Sequence, residues 1–301
     1  MEQNSCGADS GKKLRLAIIL TSVILVAEVI GGILSNSLAL LTDAAHVFMD
    51  VLALGLSFSA FKIACRPHDE KATFGYHRAE IFAALINGIL LVIVVIVILR
   101  EAYERLLSAP EVRTTEMLVF AAIGLGVNLF VTFTLRGHHD LNVRSAYLHV
   151  LGDTLSSMAV IAGAIVMIIT GNYLIDPILS ILISLLIFYS SIRILRESVS
   201  ILMERTPKHI DIEKLQEDIL AVKGIESIHD LHVWSICSNV HALNAHLLVS
   251  SMSVKDTEKL TAQINRQLAE NYNITHTTLQ YESRDCGIEG IGDANRNNGK
   301  N

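Results

Sequence analysis

"LLTDAAHVFMDVL", residues 40–52, has the apolar run of a buried helix, yet it carries three ionisable side chains, Asp43, His46 and Asp50. At helical spacing His46 and Asp50, four apart, project from one face, and Asp43, three before His46, falls on the same stripe. The pattern recurs: "AYLHVLGDTLSS", residues 146–157, places His149 and Asp153 at the same spacing in a second apolar stretch. A charged side chain at the centre of a bilayer costs at least ~2.5–3.5 kcal/mol, so two such pairs inside membrane spans point to function rather than decoration.

The rest of the chain supplies the membrane. Of 301 residues, 51% are hydrophobic and only 18% charged, too apolar for an ordinary soluble domain. A hydrocarbon core takes ~20 apolar helical residues per crossing. Six stretches qualify, near 14–34, 38–62, 79–104, 115–136, 145–171 and 174–195. The first follows Lys12, Lys13 and Arg15 as a secretory signal would, but it is long for one and lacks a small-residue cleavage site, so it reads as a retained span. The expectation is an α-helical membrane protein, six transmembrane helices over 13–205 after a short N-terminal segment, 1–12.

Short loops rich in Lys and Arg stay in the cytoplasm. Lys62, Arg66, Lys71 and Arg78 lie between spans two and three, Arg136 and Arg144 flank the fourth loop, and Arg193, Arg196 and Arg205 follow the last span. Arg100, Arg105 and Arg113 are a counter-signal on the opposite side. The balance places both termini in the cytoplasm of a multi-pass cell-membrane protein. A net charge of −6 supplies no basic surface for nucleic acid. Cys6, Cys65, Cys237 and Cys286 form no C-x-x-C pair and indicate neither a disulfide framework nor a zinc knuckle.

Beyond Arg205 the composition changes to that of a small soluble module over 206–283. Ile212, Leu215, Ile219 and Val222 recur at helical spacing before Gly224. "IESIHDLHVWSI" and "NVHALNAHLLVS" read as paired strands with a turn around Ser238 and Asn239. A helix from about Val254 to Asn271 and the strand "THTTLQYE" complete an αββαβ order, an α+β unit with two helices on one face of a small sheet. The Gly- and Asn-rich remainder, 284–301, has the composition of a disordered tail.

His46, Asp50, His149 and Asp153 together offer two imidazole nitrogens and two carboxylates, a tetrahedral set that zinc accepts and whose charge is neutral when loaded. Emptied, the buried carboxylates repel one another and take up protons. Metal and proton then compete for the same side chains, and the expected activity is metal/proton antiport, zinc being a substrate and no cofactor being required. Nitrogen and oxygen ligands also accept cobalt, cadmium, nickel and iron(II). An intramembrane metalloprotease would need H-E-x-x-H, which the sequence lacks. A non-transporting membrane metal sensor is the remaining alternative, though a sensor needs no ligands in the middle of two spans.

These features carry a resemblance. The twin H-x-x-x-D motifs, "TFGYHRAEIFAALING" (73–88) entering the third span and "HDLHVWSI" (229–236) in the soluble module resemble the cation diffusion facilitators. The likeness is strongest to the zinc efflux branch of the bacterial cobalt–zinc–cadmium resistance type, similar to animal zinc transporters. It implies proton-driven export from the cytoplasm, a homodimer with one transport site per protomer, and a metallochaperone-like C-terminal domain. By the same resemblance His46, Asp50, His149 and Asp153 are the transport ligands, and His229, His246 and Glu282 form a cytoplasmic site where zinc is a regulatory ligand.

The chain also departs from that pattern. In "PHDEKATFGYH" Asp69 stands with Ala72 and Tyr76 where some members use an aspartate and two histidines, and the His-rich loop between spans four and five is reduced to "RGHHDLN". His77 matches a position some animal members use for metal, and His276 shares a strand face with Glu282, so both are weaker candidates. Asp43 reads as a ligand or as lining for a water-filled entry, and Glu28 as a proton relay or a carboxylate bonded to a neighbouring helix. Asn87 and Asn128 read as packing contacts, and Gly31 and Gly32 as points of close helix approach.

Overall fold

The computed structural model describes residues 6–135, 141–238 and 240–284, with side chains in α1 from residue 19 and in α5 at Tyr147 and from Val150 onward. The chain divides into two units, Met1–Ser59 with Ala83–Leu195, and Ala60–Phe82 with Arg196–Asn301.

Six long helices come first: α1 (Cys6–Ser35), α2 (Leu38–Ala64), α3 (Arg78–Ser108), α4 (Thr114–Leu135), α5 (Leu141–Thr170) and α6 (Ile175–Leu202). Among the described residues five of these, α2 to α6, are long and apolar enough to cross a membrane, and α1 adds a shorter apolar stretch, Ile19–Ser35. The bundle exposes apolar side chains and buries polar ones among apolar clusters such as Leu40, Met49, Val95 and Met117. Ile33, Phe58, Ile93, Phe133 and Leu186 are exposed, whereas Glu28, Thr42, Asp43, Asp176, Ser180 and Ser184 are buried. That inversion suits a hydrocarbon solvent, in which apolar side chains face lipid and polar groups find partners between helices. Glycine sets two of the approaches: a Cβ on Gly31 would run into Phe120 of α4, and one on Gly32 into Leu41 of α2.

α3 extends further than the sequence suggests, to Ser108, because its last turns are held by ion pairs one turn apart, Arg100–Glu104 at 3.1 Å and Arg105–Glu101 at 2.9 Å. Arg105 Nη1 also donates to the Asn36 carbonyl at 2.7 Å, tying this helix end to the α1–α2 turn. Two of the arginines that run against the charge rule are thus engaged locally.

The sequence reading passed over Asp176. Its buried carboxylate accepts from Ser37 Oγ at 2.5 Å, Leu38 N at 2.7 Å and Ala39 N at 3.2 Å, so α6 caps the N-terminus of α2 across 137–139 residues of chain. Three donors to one buried carboxylate satisfy helix-end amides that lipid could not. Asp176→Ala leaves those donors unpaired and is expected to cost about 2–4 kcal/mol, read as a lowered unfolding midpoint in detergent; Asp176→Asn, which keeps an acceptor, should recover part of the loss.

The soluble module follows as α7 (Ile212–Leu220), β1 (Ile225–Cys237), β2 (Val240–Val249), α8 (Val254–Tyr272) and β3 (Ile274–Glu282), the αββαβ order expected. Asp211 caps α7 by accepting from the amides of Glu213 and Lys214, and Ser253 caps α8. α7 stops at Leu220, a turn earlier than its apolar spacing suggested, while Val222 remains buried and Gly224 takes φ +109°. β2 is central, antiparallel to β1 and parallel to β3, with α8 as the crossover that a parallel pair requires. Leu243, Ala245, Leu247 and Val249 of β2 pack with Leu215 and Ile219 of α7 and Ile264 and Leu268 of α8. Strand alternation therefore turns Asn244, His246 and Leu248 to the face away from this core. Tyr272 donates to Asp218 at 2.6 Å, joining α8 to α7; burial, then that hydrogen bond, pushes its hydroxyl up to about 12.

The turn residue Asn239, the "HH" of "RGHHDLN" and the tail from 285 onward lie outside the described residues.

Candidate metal centres

The first centre is built by helix periodicity. His46 and Asp50, one turn apart on α2, bring Nε2 and Oδ2 to 3.7 Å, and Asp153 of α5 brings Oδ1 to 3.8 Å from the same nitrogen. One donor atom from each of the three lies within 4.8 Å of the others. Tetrahedral ligands at zinc bond lengths stand roughly 3.3–3.5 Å apart, so the two His46 contacts are close to the spacing a coordination set needs. His149 sits one turn before Asp153 on α5, with its side chain outside the described residues. Both His46 and Asp153 open on a cavity of about 490 Å³ that also takes in Ser156, Leu182 and Leu186. These two donor residues thus line open space rather than sealed packing.

Asp43 lies on the same stripe of α2 but outside the three-donor cluster. It is 2% exposed, and Ser156 Oγ of α5 donates to its Oδ1 at 2.5 Å, with Ser157 Oγ at 3.5 Å from Oδ2. Asn128 of α4 donates to Ser157 Oγ at 3.3 Å, so α2, α4 and α5 meet in one polar seam beside the donors. Asn128 is the packing contact its sequence context suggested. The serine partners were missed; the small-polar "SS" after Asp153 was the available signal.

The second centre lies on the sheet face opposite the helices. His229 and His246 are cross-strand partners between β1 and β2, their rings 5.2 Å apart and nearly perpendicular. Glu282 stands between them, Oε2 at 3.4 Å from His229 Nε2 and Oε1 at 3.1 Å from His246 Nδ1. Its side chain is 3% exposed, and Gln280 Nε2 also donates to Oε1 at 2.8 Å, so the buried carboxylate is held by an amide donor beside the two imidazoles. Sequence reasoning missed Asp230. A register break between His229 and His232 puts Asp230 at φ +49°, which turns its carboxylate back to His232 Nε2 at 2.9 Å and to 3.8 Å from His246 Nε2. The "HDLH" run was the visible signal; the bulge that aims it was not.

The weaker candidates are placed elsewhere. His276 is exposed and meets Phe74 edge-on at 6.3 Å between ring centroids, outside the His229–His246–Glu282 cluster. His77 lines a cavity of about 360 Å³ with Trp234 and Ile236, next to the 2.6 Å ion pair between Arg78 and Glu204. His241 packs against His209 at 5.0 Å and Ser235 Oγ at 3.1 Å; burial first, then the neighbouring His209, holds its imidazole below the usual range. Asp69 accepts from the Tyr76 hydroxyl at 2.8 Å and from the amides of Lys71 and Ala72. Those bonds, the Tyr76 one foremost, hold its carboxyl below the usual range and commit it to the loop turn.

Residues 14–203 match the cation efflux transmembrane domain, and residues 207–284 match the cation efflux protein cytoplasmic domain. The chain is 40% identical over 277 residues to the metal cation efflux system protein CzcD of Cupriavidus metallidurans, covering 91% of this chain and 87% of that one. It is 40% identical over 277 residues to the cadmium, cobalt and zinc/H(+)-K(+) antiporter of Bacillus subtilis, covering 90% of this chain and 89% of that one. To the zinc transporter ZitB of Yersinia pestis it is 39% identical over 287 residues, covering 94% of this chain and 91% of that one. With a bundle of apolar helices followed by a small three-stranded module, and both family domains matched in order, the chain belongs to the cation efflux family, as a multi-pass membrane transporter and not an enzyme.

Proposed function

We propose that this protein exports zinc from the cytoplasm in exchange for protons, through a site made by His46, Asp50, His149 and Asp153. The observation that carries the reading is the convergence of donor atoms from His46, Asp50 and Asp153 on two apolar helices, with His46 and Asp153 lining a cavity. Two carboxylates offset a dication in a low-dielectric interior, and the same groups bind protons when the metal leaves. The names of the relatives support zinc, with cadmium and cobalt, as cargo, and the Bacillus subtilis relative is named for H(+) and K(+) as counter-ions.

In this reading residues 13–205 form the transport unit and 206–283 a cytoplasmic regulatory unit, with both chain ends in the cytoplasm and two copies pairing as a homodimer. The matched cytoplasmic domain supports the pairing. His229, His246 and Glu282 bind zinc there and bias the arrangement of two protomers, so that metal in the cytoplasm raises transport without entering the path.

Purified protein in liposomes holding a pH-sensitive dye tests the proposal. Zinc added to the side bearing the soluble module should enter that module's opposite compartment and move protons the other way, and an imposed proton gradient should drive zinc uphill. Zinc flux with no proton movement would replace antiport by uniport. Zinc binding with neither flux would leave a sensor.

A further inference from the structure

Glu28 occupies a place in the bundle that the proposed zinc site does not use. It lies on α1 with 0% of its surface exposed, and among the described residues neither carboxylate oxygen meets a hydrogen-bond donor. Space for it comes from α4: a Cβ on Gly124 would stand 2.8 Å from Glu28 Oε1. Among the described residues the charged groups that reach it are acidic, Asp43 from α2 and Asp153 from α5. The single charged residue of α4, Glu116, lies eight positions from Gly124. An ionised carboxylate buried without a donor or a cation costs several kcal/mol, and two like charges nearby add to that, whereas a neutral carboxyl in the same place costs far less.

We propose that Glu28 is a proton-binding site separate from the metal ligands, neutral while zinc is absent and releasing its proton when zinc binds beside Asp153. The inference rests on the proton-coupled reading above and adds a second kind of proton carrier to it. The link is electrostatic. A dication held by Asp50 and Asp153 cancels the negative charge that reaches Glu28, which removes a like-charge penalty on its carboxylate. The O–H bond then breaks, its electron pair stays on the carboxylate, and the proton leaves to water. Asp43, whose charge also reaches Glu28, is bonded to Ser156 and Ser157 of α5, the helix that carries Asp153.

The test counts protons released per zinc bound, with a pH-sensitive dye and the full-length protein in weakly buffered detergent, across a pH series. Glu28→Gln has the shape of the neutral acid and cannot ionise. It is expected to release about one proton fewer per zinc than wild type over part of the series, and its pH dependence of zinc affinity should flatten there. Glu28→Asp, which ionises, should restore the count with a displaced midpoint. Wild-type proton counts and pH dependence in Glu28→Gln would overturn the proposal and leave the residue a structural one. Should Glu28→Gln not be recovered folded, Gly124→Ala carries the test, because it keeps the carboxyl but crowds Oε1; an unmoved midpoint in that variant would likewise overturn it. Wild-type protein that binds zinc and releases no proton would sink proton coupling itself, a different failure from equal counts in wild type and variant.

Discussion

Zinc flux through Asp153→Ala, reconstituted at wild-type density, falls to the level of empty vesicles, a loss of at least about a hundredfold. The size follows from charge. Wild-type coordination balances a dication with two carboxylates, and removing one leaves the loaded site positive among apolar helices, at a cost of at least ~2.5–3.5 kcal/mol, or a factor of roughly 10² in occupancy. Loss of a ligand bond adds to it. Asp50→Ala should behave the same way, since Asp50 and Asp153 both lie within 4 Å of His46 Nε2. Folding should survive, because neither side chain caps a helix or fills the core as Asp176 does. The measurement is zinc uptake into vesicles, with elution volume in detergent reporting the fold. Wild-type flux in either alanine variant would remove that residue from the path and with it the proposed site.

The second large effect is on the soluble module. With zinc at a thousand times its dissociation constant, binding to His229, His246 and Glu282 should stabilise that module by about 4 kcal/mol, seen as a rise in its unfolding midpoint. Replacing all three residues with alanine should abolish the rise. None of the three belongs to the membrane set, so the triple variant should still move zinc, with a shifted dependence on zinc concentration. A pair of labels on the modules of two protomers should draw closer with zinc in wild type and stay apart in the variant. Complete loss of flux in a folded triple variant would make the cytoplasmic site obligatory for transport rather than regulatory.

Much of this architecture was legible along the chain because the signals are local. A span is announced by its own run of apolar residues, and a helix face by spacing of three and four, so "LLTDAAHVFMDVL" states that His46 and Asp50 share a side whatever surrounds it. The αββαβ order of the module was equally local, each element bounded by its own cap or turn, as Asp211, Gly224 and Ser253 illustrate. Where helix ends depend on partners, local signals fell short: α3 continues to Ser108 through ion pairs that an apolar window does not count.

Residue choice within a face is another matter. Asp43 and Asp50 lie on one stripe of α2, and only the rotation of α5 against it decides that Asp50 meets Asp153 while Asp43 meets Ser156. Likewise a bulge of β1, not its composition, aims Asp230 toward His246, and strand register pairs His229 with His246 while His276 turns to Phe74. By itself the sequence determined the membrane spans, the duplicated histidine–aspartate spacing and the order of the soluble module, since each depends on neighbours within a few turns. Only the tertiary structure decided that Asp176 caps α2 from 138 residues away and that Glu28 lies buried against Gly124 without a donor, because those relations depend on how separate helices rotate and pack, which no local period encodes.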